Sequence, residues 1–167
     1  MRSTLSHIID SWTTALDDYS LAQLCMKPSP GKWSLGQVYF HLIKNTEYYI
    51  EQAKICLLAN ENSQEVCTPS AASIFANNSF PDEIIEGPDT NVDIRQPENK
   101  EQLKKALLEL KKEIEKLVTD ISTNTYKGKT KHPGLGYFSA CDWLQFTEIH
   151  FRHHLRQKQR IDDFLGK

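Results

Sequence analysis

Residues 138–164 read FSACDWLQFTEIHFRHHLRQKQRIDDF and have the features of an amphipathic α-helix. Ser139 is placed to cap the first turn, with an acid three residues later and an apolar pair, Phe138 and Trp143, on either side of the cap. One stripe then recurs at helical spacing, formed by Trp143, Phe146 or Thr147, His150, His154, Gln157 and Ile161. We expect this helix to run to about Phe164 with the stripe facing the core.

The same kind of start occurs at residues 33–38, WSLGQV. Ser34 and Gln37 can form a capping box, and Trp33 and Val38 supply the matching hydrophobic staple. The predicted helix extends to about Asn60 and carries on one face Val38, His41, Leu42, Asn45, Tyr48 and Tyr49.

Two further amphipathic helices are predicted. The first runs from Ser3 to Leu24 and ends before residues 27–31, where two prolines and a glycine make helix continuation costly. The other runs from Asn99 to Ile121 and has leucine and isoleucine at three- and four-residue steps.

The segment from Glu61 to Pro97 lacks periodicity and has only short apolar clusters, such as Ile74-Phe75 and Ile84-Ile85. We interpret it as a crossover, and Thr123 to Tyr137 as a loop, with no competing strand signal. The prediction is an all-α single domain over residues 1–167. It is a four-helix bundle, up-down-down-up, with a long crossover between helices two and three.

The composition excludes some functional classes. Lys and Arg number 20 and Asp and Glu 22, a formal net charge of −2, so we expect no nucleic-acid partner. The start lacks the apolar run of a signal peptide and no stretch approaches the length of a membrane span, which predicts a cytoplasmic protein without membrane contact. The 4 cysteines form no CxxC pair and are expected to be reduced thiols.

Three histidines could hold a metal ion. His150 and His154 are four residues apart and therefore lie one above the other on one helical face, which is a chelating arrangement. His41 faces the core of the second helix, where a hydrogen-bonded structural histidine is the competing interpretation. His153 is a rival for His154, but it lies about one hundred degrees away and nearer the edge of the stripe. We prefer His154 and place His153 at the rim.

These motifs resemble a known family. The segments KWSLGQVYFHL at residues 32–42, HPGLG at 132–136, and Trp143 through HFRHHLRQ at 150–157 are similar to those of the DinB-like superfamily of metal-dependent enzymes. The resemblance covers nearly the whole chain and implies that His41, His150 and His154 bind zinc or nickel. Its members include transferases and isomerases that use low-molecular-weight thiols, and dimers are frequent among similar proteins, so a homodimer is an expectation here.

Three neutral imidazoles leave a divalent ion with open positions, where it could present hydroxide or thiolate near neutral pH. Such a site is compatible with two activities, a hydrolase and a thiol S-transferase, each acting on a small-molecule substrate or thiol. There are two alternatives. One is a non-catalytic stress-response bundle that binds metal or a small ligand, and the other is a scaffold with structural histidines.

Polar neighbours of the site could orient the ligands or the substrate. The candidates are Asn45, Tyr48, Thr147, Gln157 and the rim residue His153, although simple solvation is as common a role for such residues. Glu148 lies about two hundred degrees around from His150, so no general base is visible on the stripe. His132-Pro133 precedes the last helix and could lie near a pocket mouth.

Overall fold

The computed structural model describes residues 2–81 and 94–167. The last helix, α6, spans Ala140–Leu165 and starts as predicted. Ser139 accepts from the amide of Asp142, whose side chain accepts from the Ser139 amide, and the rings of Phe138 and Trp143 pack at 5.0 Å. The cap and its apolar staple therefore fix where the helix begins.

Helix α3, Leu35–Ile55, begins at the predicted Ser34–Gln37 capping box. It ends five residues before the predicted Asn60, because the chain beyond Cys56 turns to meet a later loop. The Asn60 side chain accepts from the backbone amide of Lys127, and a Cβ on Gly128 would lie 2.4 Å from the Ala59 carbonyl oxygen. This close backbone approach replaces the last predicted helical turn.

The first predicted helix is interrupted. Helix α1 spans Arg2–Ala15, a 3₁₀ turn follows at Leu16–Asp18, and a short helix α2 spans Leu21–Cys25. The prediction of one helix to Leu24 was wrong because Ser20 and Gln23 form a second capping box, which starts a new helix.

The long charged helix α5 spans Lys100–Thr123, close to the predicted Asn99 to Ile121, and Asn99 caps its first turn. Helices α1, α3, α5 and α6 form the bundle, in which α1 and α3 each pack against both α5 and α6. The largest fully buried side chains include Trp12, Tyr39, Phe138, Trp143 and Phe151. The chain is thus an all-α four-helix bundle, while the up-down-down-up order and the crossover stay predictions.

The predicted crossover is not wholly irregular. Helix α4 spans Pro69–Asn77, with Thr68 as its cap and Ala71 and Ile74 buried. The expectation of a structureless segment was wrong here because a proline at the first position and a threonine cap start a helix without a long apolar repeat. The predicted apolar cluster Ile84-Ile85 lies outside the described residues.

A two-stranded antiparallel hairpin lies within the predicted loop before α6. Strand β1 spans Lys129–His132 and β2 spans Gly136–Ser139, with Thr130 opposite Phe138. The prediction of no strand was wrong because tertiary contacts hold strands of only four residues each. Trp143 donates through Nε1 to Thr130 Oγ1 at 2.7 Å, and a Cβ on Gly136 would lie 2.8 Å from the Val66 carbonyl oxygen.

Across the described residues, no helix combines the length and apolar character needed to cross a membrane. All four cysteines, Cys25, Cys56, Cys67 and Cys141, are free.

Candidate metal centre

Three imidazoles meet between helices α3 and α6. His41 Nε2 lies 3.0 Å from His150 Nε2, which lies 3.1 Å from His154 Nε2. The three residues offer ring nitrogens within 4.8 Å of one another and are exposed by 8%, 7% and 6%. The predicted trio therefore converges at one buried point, although His41 and His150 are 109 residues apart in the chain.

These spacings fit ligands of one ion. Two imidazole nitrogens bound to a metal at about 2.1 Å are about 3.0 Å apart at a right angle and about 3.4 Å apart at a tetrahedral angle. The cluster contains no carboxylate among the residues that the structure describes. Three nitrogen donors at this spacing suit a divalent transition metal.

Burial keeps the rings of His150 and His154 neutral. It lowers the pKa of His150 well below the ordinary value of 6.5, and the neighbouring His154 and His41 lower it further. Burial also lowers the pKa of His154 to about 3, with His41 adding to the shift and Gln157 opposing it. A neutral ring has a free lone pair, which is the form that a metal ion binds.

Hydrogen bonds hold two of the rings through their other nitrogens. His154 donates from Nδ1 to Gln157 Oε1 at 2.7 Å, an arrangement that leaves the Nε2 lone pair in the cluster. The amide nitrogen of Asn45 donates to the His41 backbone oxygen at 2.8 Å and lies 3.1 Å from His41 Nδ1. Asn45 and Gln157 therefore each contact one of the three histidines, while an orienting role for them stays a prediction.

The protons of the cluster cannot satisfy every contact. If Asn45 donates to His41 Nδ1, the His41 proton is on Nε2, whereas the His154 proton is on Nδ1. If His150 Nε2 then carries a proton, it faces the N–H of His41. If it carries a lone pair instead, it faces the lone pair of His154. In addition, His150 Nδ1 is buried and has no hydrogen-bond partner in the structure as described. A cation bound through all three Nε2 atoms instead needs the His41 proton on Nδ1.

The other predicted neighbours contribute less directly. Thr147 is buried, and its hydroxyl donates to the backbone oxygen of Trp143, so its role is within the helix. Tyr48 is 38% exposed and packs its ring on Tyr49 and Trp143. His153 contributes no atom to the cluster, but its ring lies 5.1 Å from that of His154 and 5.1 Å from Phe80. The structure thus brings His154, and not His153, into the trio.

Aromatic rings lie beside the imidazoles, and the sequence analysis predicted no role for them at the site. The Trp33 ring lies 4.8 Å from His41, and the Tyr49 ring lies 5.7 Å from His150. Trp33 was assigned only to the staple, whereas Tyr49 was placed on the correct face without a role. For Tyr49 the available signal was its position on the helix face that carries His41, whereas Trp33 precedes the Ser34 cap and lies outside that repeat.

A four-helix bundle with three buried histidines on facing helices defines a class of helical proteins with a candidate divalent-metal centre. The sequence profile of the DinB superfamily matches residues 4–157, and the chain belongs to this superfamily. Among solved structures it is similar to YfiT from Bacillus subtilis, described as "a probable metal-dependent hydrolase with an unusual four-helix bundle topology".

The similarity to YfiT has a TM-score of 0.67 at 14% sequence identity and covers 99% of this chain and 85% of that one. At this identity the likeness shows the fold. A comparison with curated protein sequences found no match.

Proposed function

We propose that this protein is a metal-dependent enzyme of the hydrolase or thiol S-transferase type, with His41, His150 and His154 as the protein ligands of one divalent ion. The observation that carries the proposal is the convergence of three buried imidazoles whose Nε2 atoms are 3.0 and 3.1 Å apart. Family membership and the metal-dependent description of YfiT support it.

Three protein ligands are typical of catalytic metal sites, because they leave positions open for a substrate or water. Neutral ligands also leave the full charge of the ion uncompensated. When bound, such an ion lowers the pKa of a coordinated water or thiol. The proposed substrates are therefore small electrophiles, attacked by water or by a low-molecular-weight thiol.

The chain's own residues would position the ligands and shield the sides of two of the rings. Gln157 holds the His154 ring by its Nδ1–H, and the rings of Trp33 and Tyr49 cover the sides of His41 and His150. Glu148 pairs with Arg152 one turn further along α6, away from the cluster. Since the described residues place no carboxylate in the cluster, we propose that the attacking group loses its proton to solvent.

Zinc and nickel are the proposed metals. Imidazole nitrogens are suitable ligands for both ions.

Metal analysis tests the site. The wild-type protein should carry close to one nickel or zinc ion per chain, and His41→Ala, His150→Ala and His154→Ala should each lose it. His153→Ala is the matched control, since it removes a neighbouring imidazole that contributes no atom to the cluster, and it should keep the metal. Loss of metal in His153→Ala with retention in His154→Ala would show that the ligand set is wrong.

Turnover tests the enzyme. Metal-loaded wild type should hydrolyse activated esters or transfer a thiol to an electrophilic acceptor, and the His150→Ala variant should not. Full metal binding with no turnover in either assay would support a non-catalytic metal-binding bundle. Absence of metal from the wild type, even after incubation with nickel or zinc, would leave a scaffold with structural histidines.

A further inference from the structure

His132 lies at the end of β1, outside the metal-binding trio but within the ring packing around it. Its ring stacks on Trp143 at 5.6 Å with an interplanar angle of 30°, and its centroid is 5.1 Å from that of Phe146. Tyr49 contacts Trp143 and Phe146 and also contacts His150. One layer of aromatic rings therefore connects His132 to the candidate metal centre.

The tautomer of His132 follows from its backbone contact. Its Nδ1 accepts a hydrogen bond from the Gly134 amide at 3.1 Å, so the proton of the neutral ring is on Nε2. Burial lowers the pKa of His132 to about 4, which keeps the ring neutral at physiological pH. At that pH, His132 is therefore a hydrogen-bond donor through Nε2.

The Nε2–H group of His132 is available to a ligand. No hydrogen bond to it occurs in the described chain, and the half-buried His132 leaves this atom not fully enclosed. Its direction is fixed by the stacked Trp143 ring and by the Gly134 amide. A donor that is already oriented loses little conformational freedom when it binds an acceptor.

We propose that the His132 Nε2–H donates a hydrogen bond to an acceptor oxygen of the substrate, at a distance from the atom that the metal binds. The inference rests on the proposed function, because it places the reacting end of the substrate at the three histidines. It also narrows the class of substrate. A substrate that His132 recognises would carry a carboxylate or carbonyl group at some distance from its reacting atom.

A series of thiols tests this proposal in the cobalt-loaded protein, in which the visible absorbance of the metal reports thiolate binding. Mercaptoacetate, 3-mercaptopropionate, 4-mercaptobutyrate and 6-mercaptohexanoate are each compared with the alkanethiol of the same chain length. At one or two lengths the carboxylate should strengthen binding to the wild type by roughly tenfold, the expected effect of a hydrogen bond to a charged acceptor.

Three variants separate the donor from the ring. His132→Phe keeps an aromatic ring but has no donor, and His132→Asn keeps an acceptor for Gly134 without a donor at the Nε2 position. Both should lose the carboxylate preference. His132→Gln, whose amide nitrogen lies near the position of Nε2, should recover part of it. The Phe variant keeps the ring packing and the Asn variant keeps the acceptor for Gly134. If both lose the carboxylate preference, the missing donor is the change that they share.

The failure of this inference differs from the failure of the proposed function. If the wild type binds cobalt and thiols but shows no carboxylate preference at any length, or if all variants keep the same preference, His132 is a packing residue only. If the wild type binds no cobalt, the metal centre itself is refuted.

Discussion

Helix α6 carries two clusters of buried polar groups that differ in how completely they are paired. In the first, Lys158 donates to the Tyr19 hydroxyl at 2.7 Å and to Asp162 at 2.6 Å, and Tyr19 donates to Asp162 at 2.5 Å. In the second, His41, His150 and His154 bring their Nε2 atoms together, and His150 Nδ1 has no partner in the part of the chain that the structure describes.

The difference indicates which cluster is structural. The Tyr19–Lys158–Asp162 network satisfies its own charges and joins the residue after the 3₁₀ turn to the last helix, so it needs no ligand. The histidine cluster brings three ring nitrogens together and leaves the buried His150 Nδ1 without a partner among the described residues. A buried polar group that is left unpaired in this way points to a ligand at the cluster.

Removal of Asp162 should have the largest effect on folding. Asp162→Ala leaves Lys158 partly buried without its carboxylate, and we expect a loss of about 3 kcal/mol in the free energy of unfolding, measured with urea. The control is Asp120→Ala, which breaks the exposed pair with Lys116 and should cost about 0.5 kcal/mol or less. Metal content should not change. If Asp162→Ala lost metal but not stability, the assignment of the two clusters would be reversed.

Acidification should act on the histidine cluster in the metal-free protein. The folded pKa values of His150 and His154 lie below the ordinary 6.5, so below pH 6.5 the unfolded chain binds more protons than the folded one. Stability should therefore fall by about 1 kcal/mol for each ring between pH 7.5 and 5.5. Urea unfolding at both pH values, after treatment with a chelator, measures the effect. An equal pH dependence in the His150→Leu/His154→Leu variant would contradict it.

Gln157 should tune metal affinity without being a ligand. Gln157→Leu removes the acceptor for His154 Nδ1–H, and we expect the dissociation constant of the metal to rise about tenfold. Gln157→Glu keeps an acceptor and should keep the affinity. Competition with a coloured chelator measures both. Gln159→Leu, an exposed change on the same helix, is the control, and an equal loss there would remove the role of Gln157.

The smallest predicted effect is a gain in stability. In the metal-free protein, His150→Leu removes a buried ring nitrogen that has no partner among the described residues, and we expect about 1 kcal/mol of additional stability. The same variant should bind no metal. Thermal unfolding of metal-free wild type and variant, with His153→Leu as control, makes the comparison. A loss of stability would indicate that the cluster is structural, like the Tyr19–Lys158–Asp162 network.

Helix starts were the most predictable features of the fold. The caps at Ser34 and Ser139 were predicted because their hydrogen bonds join residues three positions apart. The capping box at Ser20 is equally local and could have been found, but the apolar repeat of Leu16 and Tyr19 was interpreted as one continuous helix. The hairpin was not predictable in this way, since a side chain of α6, Trp143, bonds to its first strand.

The sequence by itself determined that the bundle is built of amphipathic helices, the capped starts at Ser34 and Ser139, and the stripe that presents His150 and His154, because these depend on neighbours within about one helical turn. The tertiary structure alone decided that His41 Nε2 lies 3.0 Å from His150 Nε2 and that burial keeps the rings of His150 and His154 neutral. It also decided that Trp33 and Tyr49 pack beside the cluster and that His132 stacks on Trp143. Those properties depend on distances between residues far apart in the chain and on the exclusion of water, which only the packed bundle sets.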